Sequence, residues 1–310
     1  MIYNNRKIAV VGIGGVGGYV AGLLAKAYRH VTFVARGARL QAIREHGLTL
    51  HSDRNGEMTV VPEQATTLEC MGRQDYIFIC VKNYSLEDVC RQLSPLVDDH
   101  TVIIPVMNGA DPAERVRQFI GKGMVIDALI YIVAHGNNDG SVTQQGNVAK
   151  IKLGIQDAKE EQWREVEQVS ALLSGAAIDH EITRDIQTEI WRKYMTNCAY
   201  NVTTAYYNQP IGPLRDDPVK AKEYEALVWE AYEVARAKGI SVTQEHAKEI
   251  IHDFYNTWAD DATSSLQRDI HMGKQSELET FSGYLVREAD RLHVPVPMSR
   301  KLYAGLKKMM

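Results

Sequence analysis

The chain has 310 residues, of which 45% are hydrophobic and 24% charged, with a net charge of −4. That length predicts two domains, each with its own core, and the near-neutral charge excludes a global pull toward nucleic acid or an anionic membrane surface. No apolar run approaches the roughly 18 residues of a membrane span, and the start MIYNNRKIAVVGIGG lacks the ordered regions of a signal peptide. A cytoplasmic protein with neither a nucleic-acid nor a membrane partner is expected. Cys70, Cys80, Cys90 and Cys198 contain no CxxC pair, so neither a metal site nor a disulfide is expected.

From Lys7 to about Ile182, short apolar runs alternate with helix-like segments: KIAVVG, GGYVAGLLAKAYR, VTFVAR, ARLQAIREHG, DYIFICVK, SLEDVCRQLSPLV, TVIIPVMNG and GMVIDALIYIVA. The rhythm predicts βαβ units and a mainly parallel, doubly wound sheet of the Rossmann type. YIFICV and TVIIPV are apolar at nearly every position, as strands covered on both faces are. Pro105 in the second of these is tolerable near a strand end or edge. After Arg184 the strand-like runs stop, and amphipathic stretches at about 185–201, 218–238, 244–258, 276–292 and 298–309 predict an all-helical C-terminal part. Pro210, Gly212 and Pro213 break the first helix from the second. The boundary falls between residues 182 and 183, giving domains 1–182 and 183–310.

Gly12-Ile13-Gly14-Gly15-Val16-Gly17 fits GxGxxG, a pattern too common to decide anything alone. Here it follows the strand-like IAVV, opens a helix, and precedes a second strand within the span of a βαβ unit. Gly12 would make the tight turn, Gly14 would admit a pyrophosphate, and Gly17 would let helix and strand pack closely, with the helix N-terminus facing the phosphates. The competing reading is a glycine-rich surface turn.

Where an acidic residue would follow the second strand in an NAD site, Arg36 stands, with Arg39 close behind. Residues 1–44 contain no Asp or Glu but contain Arg6, Lys7, Lys26, Arg29, Arg36, Arg39 and Arg44. A basic, acid-free first βαβ unit suits a phosphate-rich anion, so NADPH is the expected cofactor. Lys82 and Asn108 each follow an apolar strand, at the strand ends where doubly wound sheets bind ligands. Either also reads as an ordinary loop residue, and Asn108-Gly109 as a simple turn.

In the helical half, EIWRKYMTNCAYN places Lys193, Asn197 and Asn201 four residues apart, on one helix face. That face is either solvated or the wall of an active site. Further on, Ser264 or Ser265 could cap a helix, Ser276 could cap another, and Glu277 would sit in its first turn.

The ordered set resembles the ketopantoate reductases, also called 2-dehydropantoate 2-reductases. It comprises GxGxxG, Arg36, Lys82, Asn108-Gly109, Lys-x3-Asn-x3-Asn, Ser-Ser-x3-Asp and Ser-Glu-Leu. The likeness runs from Lys7 to about Pro297, and WRKYMTNCAYN is its most specific part. The resemblance implies a Rossmann domain and a helical domain with substrate bound between them, and NADPH-dependent reduction of 2-dehydropantoate to (R)-pantoate, a step of pantothenate synthesis. It implies that Lys193 is the general acid, with Glu277 as the carboxylate near it. Asn108, Asn197, Asn201 and Ser265 match substrate-binding positions, and Gly12, Gly14, Gly15, Gly17, Arg36, Lys82 and Asn108 match positions at the dinucleotide. Lys193, Asn197 and Asn201 are then expected to face the nicotinamide end.

Members of the family often carry Ala at Gly15, Met at Leu266, and Thr-Glu-Ile-Asp where this chain has Ser276-Glu277-Leu278-Glu279. These departures leave open a paralogue that reduces another small 2-oxo acid, because pocket shape can change while the hydride machinery stays. An NADPH-binding sensor without turnover is a third reading, and the joint presence of the Lys-Asn-Asn row, Ser265 and Glu277 argues against it. The helix faces allow a monomer or a homodimer.

Overall fold

The computed structural model describes residues 5–310. The chain divides into two compact units, the first ending at Ile186 and the second running Gln187–Met310. In chain order the first unit holds β1 (Ile8–Val11), α1 (Gly15–Ala27), β2 (Val31–Val34), α2 (Gly37–His46), β3 (Leu48–Ser52), β4 (Gly56–Val60), β5 (Gln64–Thr66) and β6 (Tyr76–Ile79). It continues with α3 (Leu86–Leu93), β7 (Val102–Pro105), α4 (Pro112–Phe119), β8 (Met124–Val125), β9 (Asp127–Gly136), β10 (Val142–Gly154), α5 (Glu160–Gly175) and β11 (Asp179–Ile182).

Six of these strands form one all-parallel sheet in the order β5-β2-β1-β6-β7-β8. Numbered by its own strands, that is the 3-2-1-4-5-6 order of a doubly wound nucleotide-binding sheet, with the switch point between β1 and β6. β1, β2, β6 and β7 are buried at every position, because successive side chains feed two different cores. Ile8, Val10, Phe33, Phe78 and Ile104 join the layer of α1 and α5, whereas Ala9, Val11, Ile77, Ile79 and Ile103 join that of α3 and α4. Pro105 is the last residue of β7, where its missing N–H costs the ladder little. The four cysteines are free thiols.

A second sheet, β11-β10-β3-β4 with β9 paired to β10, departs from the expected run of βαβ units. β3 and β4 form an antiparallel hairpin, and β9 and β10 form another. GMVIDALIYIVA, one run in the sequence, is cut in two: Met124–Val125 ends the first sheet and Asp127 opens the second. Val142, Ile151, Leu48 and Leu50 of the second sheet join the same core as α1. α1 is therefore covered on all sides, with Gly17 through Leu24 buried in succession.

The second unit is all-helical: α6 (Ile186–Tyr207), which begins at the boundary, α7 (Ile211–Asp216), α8 (Pro218–Ala237), α9 (Gln244–Asn256), α10 (Ser265–His271), α11 (Tyr284–Leu292) and α12 (Pro297–Met309). Pro210, Gly212 and Pro213 do end α6, but the short α7 forms across them, with Pro210 as its N-cap. α10 lies outside the expected amphipathic stretches but begins where Ser264 or Ser265 is expected to cap a helix. The expected helix over 276–292 is instead a π-helical turn, Glu279–Gly283, leading into α11. Asp217 caps α8 by accepting from the Val219 and Lys220 N–H groups, with Pro218 at the first helical position. Glu230 of α8 accepts from the Met298 and Ser299 N–H groups, at 2.7 Å each, at the start of α12. No helix among the described residues is long and apolar enough to cross a membrane.

Candidate active site

The first constellation lies at the carboxyl ends of the parallel strands. Gly12 leaves β1 with φ +94°, and its N–H donates to Val34 O at 2.9 Å, joining the ends of β1 and β2. A side chain at Gly12 would also meet Val81 and the Cys80 carbonyl, so the tight turn needs glycine twice over. Gly17 lies against the same turn: a Cβ there would come within 1.8 Å of Gly12 O. A Cβ on Gly15 would come within 2.5 Å of Ala134 O of β9, so this glycine lets the second sheet approach α1. Gly14 differs from the others. It is exposed, it is the N-cap of α1, and nothing lies within 4 Å of where its Cβ would be. The helix N-terminus behind it carries no side-chain cap and no acidic residue in its first turn.

Arg36 caps the start of α2 in extended backbone and is exposed, with no hydrogen-bond or ion-pair partner among the described residues. Arg39 has a different occupation. It donates to the carbonyls of Gly140, Ser141 (3.1 Å) and Asn137 (3.2 Å), tying down the turn between β9 and β10. Desolvation in that position lowers its pKa, against the attraction of Asp139. Arg39 is therefore committed to the fold, and the basic character at this point rests on Arg36.

Lys82 follows β6, the strand across the switch point from β1, and Asn108 follows β7, just before Gly109 with φ +105°. Between them lies Asn83, which the sequence reading passed over. Its buried Nδ2 donates to Asn108 O at 2.7 Å, and Arg115 of α4 reaches its side-chain oxygen at 3.4 Å and its carbonyl at 3.3 Å. Asn83 couples the Lys82 loop to the Asn108 loop. Its only signal in the sequence was its position next to Lys82.

The second constellation is on α6. Asn201 Nδ2 donates to Asn197 Oδ1 at 3.2 Å, and Ser265 Oγ donates to Asn201 Oδ1 at 3.5 Å. Ser264, not Ser265, is the N-cap of α10, accepting from the Gln267 N–H at 3.1 Å. Thr204, one turn beyond Asn201, donates to Ser264 Oγ at 2.7 Å, and Gln267 Nε2 donates to Asn208 Oδ1 at 3.3 Å. The polar row on α6 thus runs past the expected helix end at 201 and docks α10. Thr204 lies on α6 beyond the expected end at 201, whereas Asn208 lies just past the helix end at Tyr207, with φ +50°.

Lys193 stands one turn before Asn197 and is partly buried. Desolvation lowers its pKa to about 8, with attraction by the Glu277 carboxylate opposing the fall. Glu277 is itself buried, just ahead of the π-helical turn. Ser276 is a weaker cap than expected, accepting from the Leu278 N–H at 3.4 Å. An ammonium that ionises near neutrality beside a row of amide and hydroxyl groups can give up a proton to a bound oxygen.

Two family models match in succession: ketopantoate reductase PanE/ApbA over residues 8–157, and ketopantoate reductase PanE/ApbA C terminal over residues 185–310. The chain belongs to the ketopantoate reductase family. It is therefore an oxidoreductase acting on a C=O/CH–OH group, of a family that uses a nicotinamide cofactor. Among the relatives of this chain, an uncharacterized oxidoreductase, YkpB, of Bacillus subtilis is 28% identical over 97% of both chains. A crystal structure of 2-dehydropantoate 2-reductase from Porphyromonas gingivalis W83 superposes with a TM-score of 0.81 and 29% identity, covering 97% of this chain and 99% of that one. A ternary structure of D-mandelate dehydrogenase with NADH and anilino(oxo)acetate shares the fold, with a TM-score of 0.87 at 19% identity over 98% of both chains.

Proposed function

We propose that this ketopantoate reductase family member reduces 2-dehydropantoate to (R)-pantoate with NADPH. The observation that carries the reading is the row on α6, where a lysine of lowered pKa precedes the hydrogen-bonded series Asn197, Asn201 and Ser265. The residues of the first unit suit the cofactor. Open space beside Gly14 at an uncapped helix N-terminus fits a pyrophosphate. An unpartnered Arg36 beside an acid-free first turn of α2 fits a 2′-phosphate better than a free ribose hydroxyl pair. Gly12, Gly15 and Gly17 shape that turn, while Lys82 follows the adjacent strand β6 and Asn108 follows β7 beyond it.

The nicotinamide, when bound, supplies the hydride. Lys193 Nζ holds the proton that the ketone oxygen takes up as negative charge develops on it, and the ammonium stabilises that charge beforehand. Glu277 favours the charged form of Lys193, which burial alone would push further toward neutrality. Asn197 offers its Nδ2 hydrogens to substrate oxygens, and Asn201, engaged at both oxygen and nitrogen, keeps Asn197 and Ser265 in register.

Leu266, where the family often has Met, is 1% exposed and so is part of the core of the second unit. That departure gives no reason to expect a different acid. The test is steady-state NADPH consumption with ketopantoate against a panel of other small 2-oxo acids. Preference for ketopantoate is the expected result. Faster turnover of another acid would make the protein a paralogous 2-oxo acid reductase, and NADPH binding without turnover of any would make it a sensor.

A further inference from the structure

Tyr194 follows Lys193 on α6 and is 1% exposed. Its hydroxyl lies 2.7 Å from Phe281 O and 3.0 Å from Thr280 O, and shares its one proton between the two carbonyls. One turn along α6, the Cys198 thiol donates to the same Phe281 oxygen at 3.4 Å. Both acceptors belong to the π-helical turn Glu279–Gly283. Turns of this kind are rare, occur mostly as single turns within α-helices, and are frequent at functional sites.

The N–H groups of the same two residues point back along the chain. Thr280 N–H and Phe281 N–H both donate to Glu277 O, at 3.0 and 3.2 Å. Thr280 and Phe281 are thus gripped at both ends, by α6 through their carbonyls and by the Glu277 backbone through their amides. The Tyr194 ring packs edge-on against Trp191 (5.3 Å between centroids) and Tyr284 (5.7 Å), a role that a phenylalanine would fill equally well. The hydroxyl is the part that core packing does not explain.

We propose that Tyr194 is a positioning residue which, by fastening the π-helical turn to α6 through its hydroxyl, sets where Glu277 stands relative to Lys193. The proposal rests on the reading of Lys193 as proton donor. The ionisable groups around this part of α6 include Glu277, the Cys198 thiol, Tyr284 of α11 against the Trp191 and Tyr194 rings, the Glu189–Arg192 pair extended by Glu249 of α9, and Glu279 of the turn itself, which is paired with Arg287 and Lys307. Of these, Glu277 is the charge that acts on Lys193, and it raises the lysine pKa against desolvation. A turn released from α6 weakens that attraction, so Lys193 loses its proton at lower pH.

The experiment compares the pH profile of kcat/KM for 2-oxo acid reduction in wild type, Tyr194→Phe, Glu277→Gln and the double variant. In Tyr194→Phe the alkaline limb moves to lower pH by roughly half a unit or more, with KM for NADPH unchanged. In the Glu277→Gln background the added Tyr194→Phe moves the limb no further, since the two act through one contact. A wild-type limb in Tyr194→Phe overturns the proposal, and so does an equal shift in the Glu277→Gln background. Amide hydrogen exchange gives a readout independent of turnover: Thr280 and Phe281 exchange faster in Tyr194→Phe, and unchanged exchange there overturns the fastening. If Lys193→Ala retains wild-type turnover, the proton-donor reading fails, and the exchange measurement still decides the role of the hydroxyl.

Discussion

Asn201 Nδ2 donates to Asn197 Oδ1 across 3.2 Å, and that bond sets the sense of both amides. With Ser265 donating to Asn201 Oδ1, the row offers the Nδ2 of Asn197 and the second N–H of Asn201, donors suited to a carboxylate or a ketone oxygen. Asn201→Ala breaks the series in the middle. A loss of about 1.5–3 kcal/mol is expected for hydrogen bonds to a charged ligand, or roughly 10- to 100-fold in kcat/KM for the 2-oxo acid. KM for NADPH should not change. Steady-state kinetics with each substrate varied in turn measures both, and an unaltered kcat/KM would remove the row from the substrate site.

Lys193 must be protonated to act as an acid, and its pKa of about 8 places the loss of that proton just above neutrality. Reduction should therefore decline through an alkaline limb near pH 8 in kcat/KM, and Lys193→Ala should lower turnover by roughly 100-fold or more.

Stability responds to the same lysine with the opposite sign. Unfolded, it ionises near its ordinary value of 10.5, so between about 8 and 10.5 the unfolded chain binds more protons than the folded one. Stability from this group then rises as pH increases through that window and is lowest below it. Lys193→Met should abolish that component, as read from denaturant unfolding of both proteins at pH 7 and pH 9.5.

Arg36→Ala should weaken NADPH much more than NADH, by about 10- to 100-fold if a charge-assisted contact to the 2′-phosphate is lost. Fluorescence titration with each dinucleotide separates the outcomes. Equal losses would mean that Arg36 does not meet the 2′-phosphate.

The glycines of the turn separate by what surrounds them. Gly14→Ala has free space for its methyl group, so the protein should fold normally and lose affinity for NADPH. Gly17→Ala would press a methyl group onto Gly12 O, so it should destabilise the fold by about 2 kcal/mol or more. Thermal unfolding and dinucleotide titration on both variants give opposite patterns. A Gly14→Ala variant that binds NADPH as wild type does would clear that position of ligand contact.

Much of this was legible in the chain because it is local. Doubly covered strands show as unbroken apolar runs, so YIFICV and TVIIPV could be recognised without tertiary information, and GxGxxG after IAVV marked the start of α1. The second sheet was not legible in the same way. β10 mixes buried apolar residues with exposed and polar ones, among them the fully buried Gln144, whose oxygen accepts from Ser52 at 2.6 Å. Alternating polar residues dilute the apolar signal, and pairing partners as far apart as β3 and β10 leave no local trace. α10 shows in the sequence only through its candidate caps Ser264 and Ser265, because its contacts with Asn201 and Thr204 of α6 and with Asn208 just beyond that helix are polar, so apolar periodicity does not announce it.

Local spacing along the chain was enough to reveal the βαβ rhythm of the parallel sheet, the glycine turn with Arg36 behind it, and a helix face bearing Lys193, Asn197 and Asn201, since it dictates which side chains share a side. Tertiary structure decided how those groups are used. Arg39 went to the β9–β10 turn while Arg36 stayed open, and Gly15 answered to Ala134 while Gly14 answered to nothing. Lys193 acquired a pKa near 8 only because the folded chain desolvates it and sets Glu277 against it. Burial and long-range contacts exist only after the chain has closed on itself, and a charge or a hydrogen-bond donor takes its working strength from them.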